Sequence, residues 1–308
     1  MKKFEYRTSS PQFYKQCLTK ANLLLDQISE TLKKPKVKIT PLDIIFYFEM
    51  NYNILFTFFE STPSQKINKF EALVQNSNFE FVNKKMVNRL AGFTIPKNGR
   101  IVIMINQTMP RSRVIYTILH ELCHLYFHNM ESNKRIFASK FYGNYPDKIL
   151  PYEDEANIIA SILFCPTDKL ESLFYRNYSF SKIILVTNMS HKALHNRLMN
   201  YLYHILKLPR PLALELVLGL KNNNQLASNK IKHLVIQKNS RNLANNNSPI
   251  KISNGNIINI VSCVSFLKRL SLNELILELE YAHFTKNTLL EELVMNEYYR
   301  KQSKKLLV

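Results

Sequence analysis

A chain of 308 residues with 46% hydrophobic side chains is long enough for two domains, or for one domain with extensions, and it can fill a core, so the sequence reads as globular. Its formal charge of +19 points to acidic partners, but a general bias toward Lys, Asn and Ile raises the same figure without any function, so charge is read only where it is local. Cys17, Cys123, Cys165 and Cys263 show no C-x-x-C spacing, which excludes a disulfide scaffold and favours a reducing cytoplasm. Met1–Gln12 lacks the apolar centre of a secretory signal, and no apolar run reaches the length of about 20 residues that spans a bilayer, so no membrane partner is expected.

Ser10-Pro11 opens a helical pattern that runs to Thr31, with Phe13, Cys17, Ala21, Leu24, Leu25 and Ile28 at three- and four-residue spacing. Thr40-Pro41-Leu42-Asp43 starts a second helix, to about Met50, and Asn53–Phe59 has the aromatic and β-branched content of a strand. Phe46, Phe48, Phe56, Phe58 and Phe59 read as core, and Pro63–Gln75 reads as helical. Leu90–Ile95 and Arg100–Ile105 flank Asn98-Gly99, a dipeptide favoured in tight hairpin turns, so a small antiparallel sheet is expected next.

The stretch Thr108–Met130 follows. Pro110 suits a first helical turn, Thr108 and Asn106 are candidate caps, and no Gly or Pro interrupts Arg111–Asn129. This helix is apolar around much of its circumference and carries His120-Glu121-Leu122-Cys123-His124, the H-E-x-x-H pattern. Histidines four apart lie one turn apart on one face, about 6 Å along the axis, so both rings can reach one Zn²⁺. Glu121 then stands where a general base for zinc-bound water is needed. His128 lies roughly 12 Å along the axis from His120, too far to share the same ion, and the longer pattern that would require His at position 130 fails at Met130. It reads as a packed or hydrogen-bonded residue.

A zinc site of this kind needs a third protein ligand, and Pro151-Tyr152-Glu153-Asp154-Glu155-Ala156-Asn157 offers candidates at the start of a helix that Pro166 ends. Glu153 and Asn157 share a face, so one can bind the metal while the other hydrogen-bonds a liganding histidine. Glu155 is only two residues from Asn157 and faces elsewhere; with Asp154 it reads as an ordinary first-turn acid that complements the helix dipole.

Beyond Pro166 the chain reads as helices. Ser190 is the expected cap of one of them, with Ala193, Leu194, Leu198 and Leu202 as its buried stripe and His191, Lys192, His195, Asn196 and Arg197 on the face that could read DNA. From Ser172 to Asn273 there are fourteen Lys plus Arg and one acid, Glu215, and residues 221–256 hold eleven asparagines, which reads as a flexible linker. Periodicity returns at Leu272, Leu275, Ile276 and Leu279 and again at Leu289, Leu290, Leu293 and Val294.

The segment HELCHLYFH, followed by E-x-E-A-N-x-x-A-x-x-L-x-x-P, resembles the ImmA/IrrE metallopeptidases. The likeness runs from about Gly92 to Leu202 and includes the hairpin before the active helix and a helix-turn-helix-like pair after it. Cys123 replaces the usual glycine and Ile159 the usual aromatic residue. The resemblance implies that His120, His124 and Glu153 hold Zn²⁺, that Glu121 is the catalytic acid/base and that Asn157 supports the ligands. It also implies a helix-turn-helix repressor of a prophage, mobile element or stress regulon as substrate.

The expected class is therefore α+β: a small antiparallel sheet packed with an active-site helix and a third-ligand helix, followed by helical additions. The expected divisions are a peptidase core at 1–170 (N-terminal helices 1–50, sheet and active helices 51–170), a helix-turn-helix-like part at 171–220, a basic Asn-rich linker at 221–256 and a helical appendage at 257–308. The competing readings are a non-catalytic anti-repressor or DNA-associated regulator that uses the basic half of the chain, and one member of a toxin-antitoxin-like pair.

Overall fold

The computed structural model describes residues 9–61, 69–97, 99–128, 137–140 and 145–245, and in the C-terminal part 275–276, 279, 294–298 and 300–301. Residues 1–239 form one compact unit and residues 240–308 another.

Helix α1 (Pro11–Thr31) starts where Ser10 accepts the amide of Phe13, and it buries Tyr14, Cys17, Ala21, Leu24, Leu25 and Ile28 along one stripe. Helix α2 (Pro41–Asn51) opens with a capping box, in which Thr40 Oγ1 and the Asp43 carboxylate each accept the other residue's backbone N–H. Phe48 is in the core, but Phe46 lies on the opposite side of this helix and is 38% exposed.

Strand β1 (Ile54–Glu60) is buried on both faces, because it runs inside a five-stranded sheet of order β2-β1-β4-β3-β5. The other strands are β2 (Ser77–Phe81), β3 (Leu90–Lys97), β4 (Arg100–Asn106) and β5 (Phe137–Lys140), with helix α3 (Lys84–Arg89) between β2 and β3. The α+β class holds, while the sheet is mixed rather than wholly antiparallel. β3 pairs antiparallel with β4 and β5, as a hairpin requires, but β1 runs parallel to both β2 and β4. Parallel neighbours need crossover connections, and these are invisible to a local pattern of strands and turns. Gly99 has φ of 71° in the hairpin turn, the left-handed region that glycine enters without cost; Asn98 lies outside the described residues. The helix expected over 63–75 is absent from its described part, Lys69–Gln75, which holds only a single 3₁₀ turn at Glu71–Leu73; residues 62–68 lie outside the described residues.

The sheet carries helix α4 (Arg111–Phe127) on its larger buried face, and helix α5 (Leu150–Phe164) packs against α4 and α1; the opposite face closes on a smaller cluster of Phe59, Val87, Val102 and Met104. Gly92 of β3 sets the distance from sheet to α4. A Cβ there would meet Thr117 Cγ2 of α4 at 2.6 Å and the Met104 carbonyl oxygen of β4 at 2.9 Å. Asn106, expected as a cap, instead ties the turn into α4: its side chain donates to the carbonyls of Val87 and Leu90 and accepts from Thr108, and the helix begins after Pro110 without a side-chain cap.

Helices α6 (Thr167–Tyr175), α7 (Phe180–Thr187), α8 (His191–Asn200), α9 (Arg210–Lys221) and α10 (Gln225–Asn245) follow, with a π-helical turn at Tyr201–Ile205. Ser190 caps α8 as expected, yet Arg197 does not face solvent. It is fully buried and donates to the Cys165 carbonyl, Thr167 Oγ1 and the Tyr14 hydroxyl, so it joins α8 to α1 and to the α5–α6 junction. Residues 225–245, expected within a flexible linker, are helical, because Ala227, Ile231 and Val235 recur at four-residue spacing and are buried in the core cluster of residues 1–239. Residues 246–256 lie outside the described residues. Of the expected C-terminal appendage, the described positions 275–276, 279, 294–298 and 300–301 are helical. No helix among the described residues is long and apolar enough to cross a membrane.

Replacing Gly92 with Ala should destabilise the protein by roughly 1–3 kcal/mol, because neither the β4 backbone nor the Thr117 methyl can retreat freely. Chemical denaturation of the two proteins checks this; equal midpoints would mean that the helix–sheet distance is not set here.

Candidate metal centre

Helix α4 presents His120, Glu121 and His124 from its buried middle, and the first turn of α5 brings Glu153 to meet them. All four side chains are buried. His120 Nε2 and His124 Nε2 are 3.0 Å apart, and the Glu153 carboxylate reaches them at 3.3 and 3.4 Å, one oxygen to each ring. Two ligand atoms held about 2.0–2.1 Å from a tetrahedral zinc are roughly 3.3–3.4 Å apart. The three side chains are thus spaced like the edges of a metal coordination shell, and among the described residues they form a group able to hold an ion. Glu153 supplies a second sign: although almost fully buried, neither of its oxygens has a hydrogen bond of standard geometry. Leaving such groups without compensation costs roughly 1–3 kcal/mol each, a cost that a bound cation removes.

The charges suit a cation. Burial works to raise the pKa of Glu153, but its interactions with the two histidine rings outweigh it and hold the carboxyl below its ordinary range. Burial, the largest influence on His124, brings that ring down to about 4, so its lone pair is open at neutral pH. For His120 burial acts downward too, yet the neighbouring Glu153 more than compensates and the pKa rises.

Three neighbours of the centre carry no signal in the motif. Thr94 of β3 donates through Oγ1 to Glu121 Oε2 at 2.9 Å, which fixes that carboxylate from the sheet side. Tyr145 accepts the backbone N–H of Lys140 in β5 at 3.0 Å; burial, and after it the charge of Glu153, push its phenol pKa up, so its hydroxyl keeps its proton. Tyr116 donates to Asn157 Oδ1 at 2.9 Å. That bond bears on the expectation for Asn157, whose described hydrogen bonds run to Tyr116 and not to a motif histidine. Tyr116 itself sits one turn before His120, with its ring centroid 6.4 Å from the imidazole, so Asn157 reaches the centre at one remove.

His128 and Glu155 are closer to the centre than spacing suggested. His128 Nδ1 is 2.8 Å from His124 Nδ1, and Glu155 lies between His128 and Lys20. The continuation 120, 124, 128 along one helix face was the available signal; nothing in the sequence points to Lys20.

Residues 81–199 match the model of a peptidase family, M78, described as the IrrE N-terminal-like domain. A search of curated proteins finds no match.

Replacing Glu153 with Ala should weaken zinc binding by more than two orders of magnitude, because it removes one of three ligands, and Glu155→Ala should weaken it far less. Competition against a chromophoric chelator measures both; a larger loss for Glu155→Ala would reverse the assignment.

Proposed function

With residues 81–199 forming a peptidase domain of the IrrE N-terminal-like family, we propose that the protein is a zinc-dependent endopeptidase that cleaves a helix-turn-helix repressor in the cytoplasm. The observation that carries the catalytic part is the convergence of His120, His124 and Glu153 on one point beside Glu121. A zinc ion held there would lower the pKa of a coordinated water to about 7 and polarise a scissile carbonyl.

The chain's own residues perform the proton transfers. Glu121, kept in place by Thr94, accepts a proton from the attacking water and delivers it to the departing amine nitrogen, so the carboxylate ends the cycle as it began. The Tyr145 hydroxyl, whose pKa is raised by burial and then by the charge of Glu153, retains its proton next to that carboxylate. Asn157 and Tyr116 brace the side of the site next to His120.

The choice of substrate rests on the resemblance to ImmA/IrrE peptidases, which act on such repressors, and on the basic stretch 172–273, where fourteen Lys and Arg face one acid. A repressor sits on DNA, so a basic surface can hold the peptidase near its target. On α8 the exposed residues available for phosphate are His191 and Lys192, since Arg197 belongs to the core. Such docking should weaken steeply as salt rises, through counterion release.

The protein should bind about one zinc per chain, and Glu121→Gln should keep the zinc and the fold while cleaving a repressor encoded beside it about 10²–10⁴-fold more slowly. Mass spectrometry of the repressor after incubation reads the result. Cleavage by Glu121→Gln at the wild-type rate would remove Glu121 from the chemistry, and a zinc-loaded wild type that binds the repressor without cutting it would make the protein a binding regulator.

A further inference from the structure

We propose that His128, Glu155 and Lys20 form a positioning chain that orients His124, so that its Nε2 and no other atom faces the metal. The inference rests on the metal-centre reading above and extends it to three residues outside the motif and its third ligand.

The geometry leaves one consistent arrangement of hydrogens. His124 Nδ1 and His128 Nδ1 are 2.8 Å apart, so one ring must donate and the other accept. His124 Nε2 is the atom that converges on His120 and Glu153, and as a ligand it must be unprotonated. A neutral His124 then carries its hydrogen on Nδ1 and donates to His128. His128, accepting through Nδ1, carries its own hydrogen on Nε2, which is 3.5 Å from Glu155 Oε2. The other Glu155 oxygen takes the ammonium of Lys20. Read outward, the chain is imidazole, imidazole, carboxylate, ammonium; the first and last junctions are hydrogen bonds, and the middle one is a 3.5 Å contact between His128 Nε2 and the Glu155 carboxylate.

Three elements hold it. His128 stops α4, its backbone N–H bonding to the His124 carbonyl at 3.1 Å, and the Tyr152 ring meets it edge-on at a centroid distance of 5.0 Å. Glu155 comes from the first turns of α5, and Lys20 from α1. Side-chain exposure rises from one contact to the next, 0% at His124, 2% at His128, 14% at Glu155 and 44% at Lys20, so a buried ligand is anchored from the surface. The other motif histidine has nothing comparable: His120 Nδ1 is buried without a hydrogen-bond partner among the described residues. His124 is therefore the ligand whose direction the protein fixes through a hydrogen bond to its second ring nitrogen, which His120 lacks. Partners of this kind that hold a liganding histidine typically contribute 10–100-fold to metal affinity.

The test uses the full chain and zinc alone. Zinc affinity is measured by chelator competition for wild type, His128→Ala, His128→Gln, Glu155→Leu and Glu155→Gln, together with the thermal midpoint of each protein with and without zinc. His128→Ala should lose about 10–100-fold in affinity, and the rise in midpoint on adding zinc should shrink. His128→Gln, which keeps an acceptor, should recover part of the loss, and Glu155→Gln should bind more tightly than Glu155→Leu. A purely structural role would lower the metal-free midpoint and leave affinity unchanged. Wild-type affinity in His128→Ala, or in Glu155→Leu should His128→Ala not fold, overturns the positioning chain alone; a wild-type protein that takes up no zinc overturns the metal centre with it.

Discussion

Two carboxylates, Glu121 and Glu153, lie inside this protein with almost no access to water, and the rest of the fold is arranged so that they can stay there. A buried carboxylate without partners costs several kcal/mol, more than most single contacts return. Here each is given company from a different direction. The sheet supplies Thr94 to Glu121, and the middle of α4 supplies two imidazoles to Glu153. For these groups to meet, α4 must lie close on β3, which is why a residue without a side chain stands at position 92, and α5 must enter beside α4 with its first turn buried. Helix α1 then packs along α5 and carries Lys20 to the outer carboxylate, Glu155.

The parts legible in the sequence were those written at short range. Helix α1, the capping box of α2, the hairpin flanking Gly99 and the helix that carries His120-Glu121-Leu122-Cys123-His124 all follow from spacing, caps and turn residues within a few positions of one another. Glu153 could be named as a candidate because it shares a helix face with Asn157. What escaped was set at long range. The parallel pairing of β1 with β2 and β4 depends on crossovers, and a strand buried on both faces shows no alternation that tells its neighbours' direction.

Local chemistry also misled where tertiary contacts override it. An Arg on a basic, polar helix face reads as a solvent residue, yet Arg197 finds three oxygens inside the core. An Asn-rich run reads as a linker, yet Ala227, Ile231 and Val235 supply enough apolar surface to hold most of α10 against the domain. Thr94 and Tyr145 were illegible for a simpler reason: 27 residues separate Thr94 from Glu121, and only the fold brings them together.

The burial of Arg197 bears on where the folding unit ends. A guanidinium with no access to water has lost its hydration, and it can leave its three oxygen partners only if α1, the α5–α6 junction and α8 separate together. Leu216, Val217, Leu220, Ile231 and Val235 belong to the same apolar cluster as the metal-centre helices. The segment that matches the peptidase family closes at residue 199, but the compact unit that contains it extends about forty residues further, to Asn239. Helices α8 to α10 therefore do not form a detachable recognition module hung on a catalytic one. Anything that braces or loosens them acts on the same equilibrium that holds His120, His124 and Glu153 in register, so the two ends of this unit draw on one shared stability.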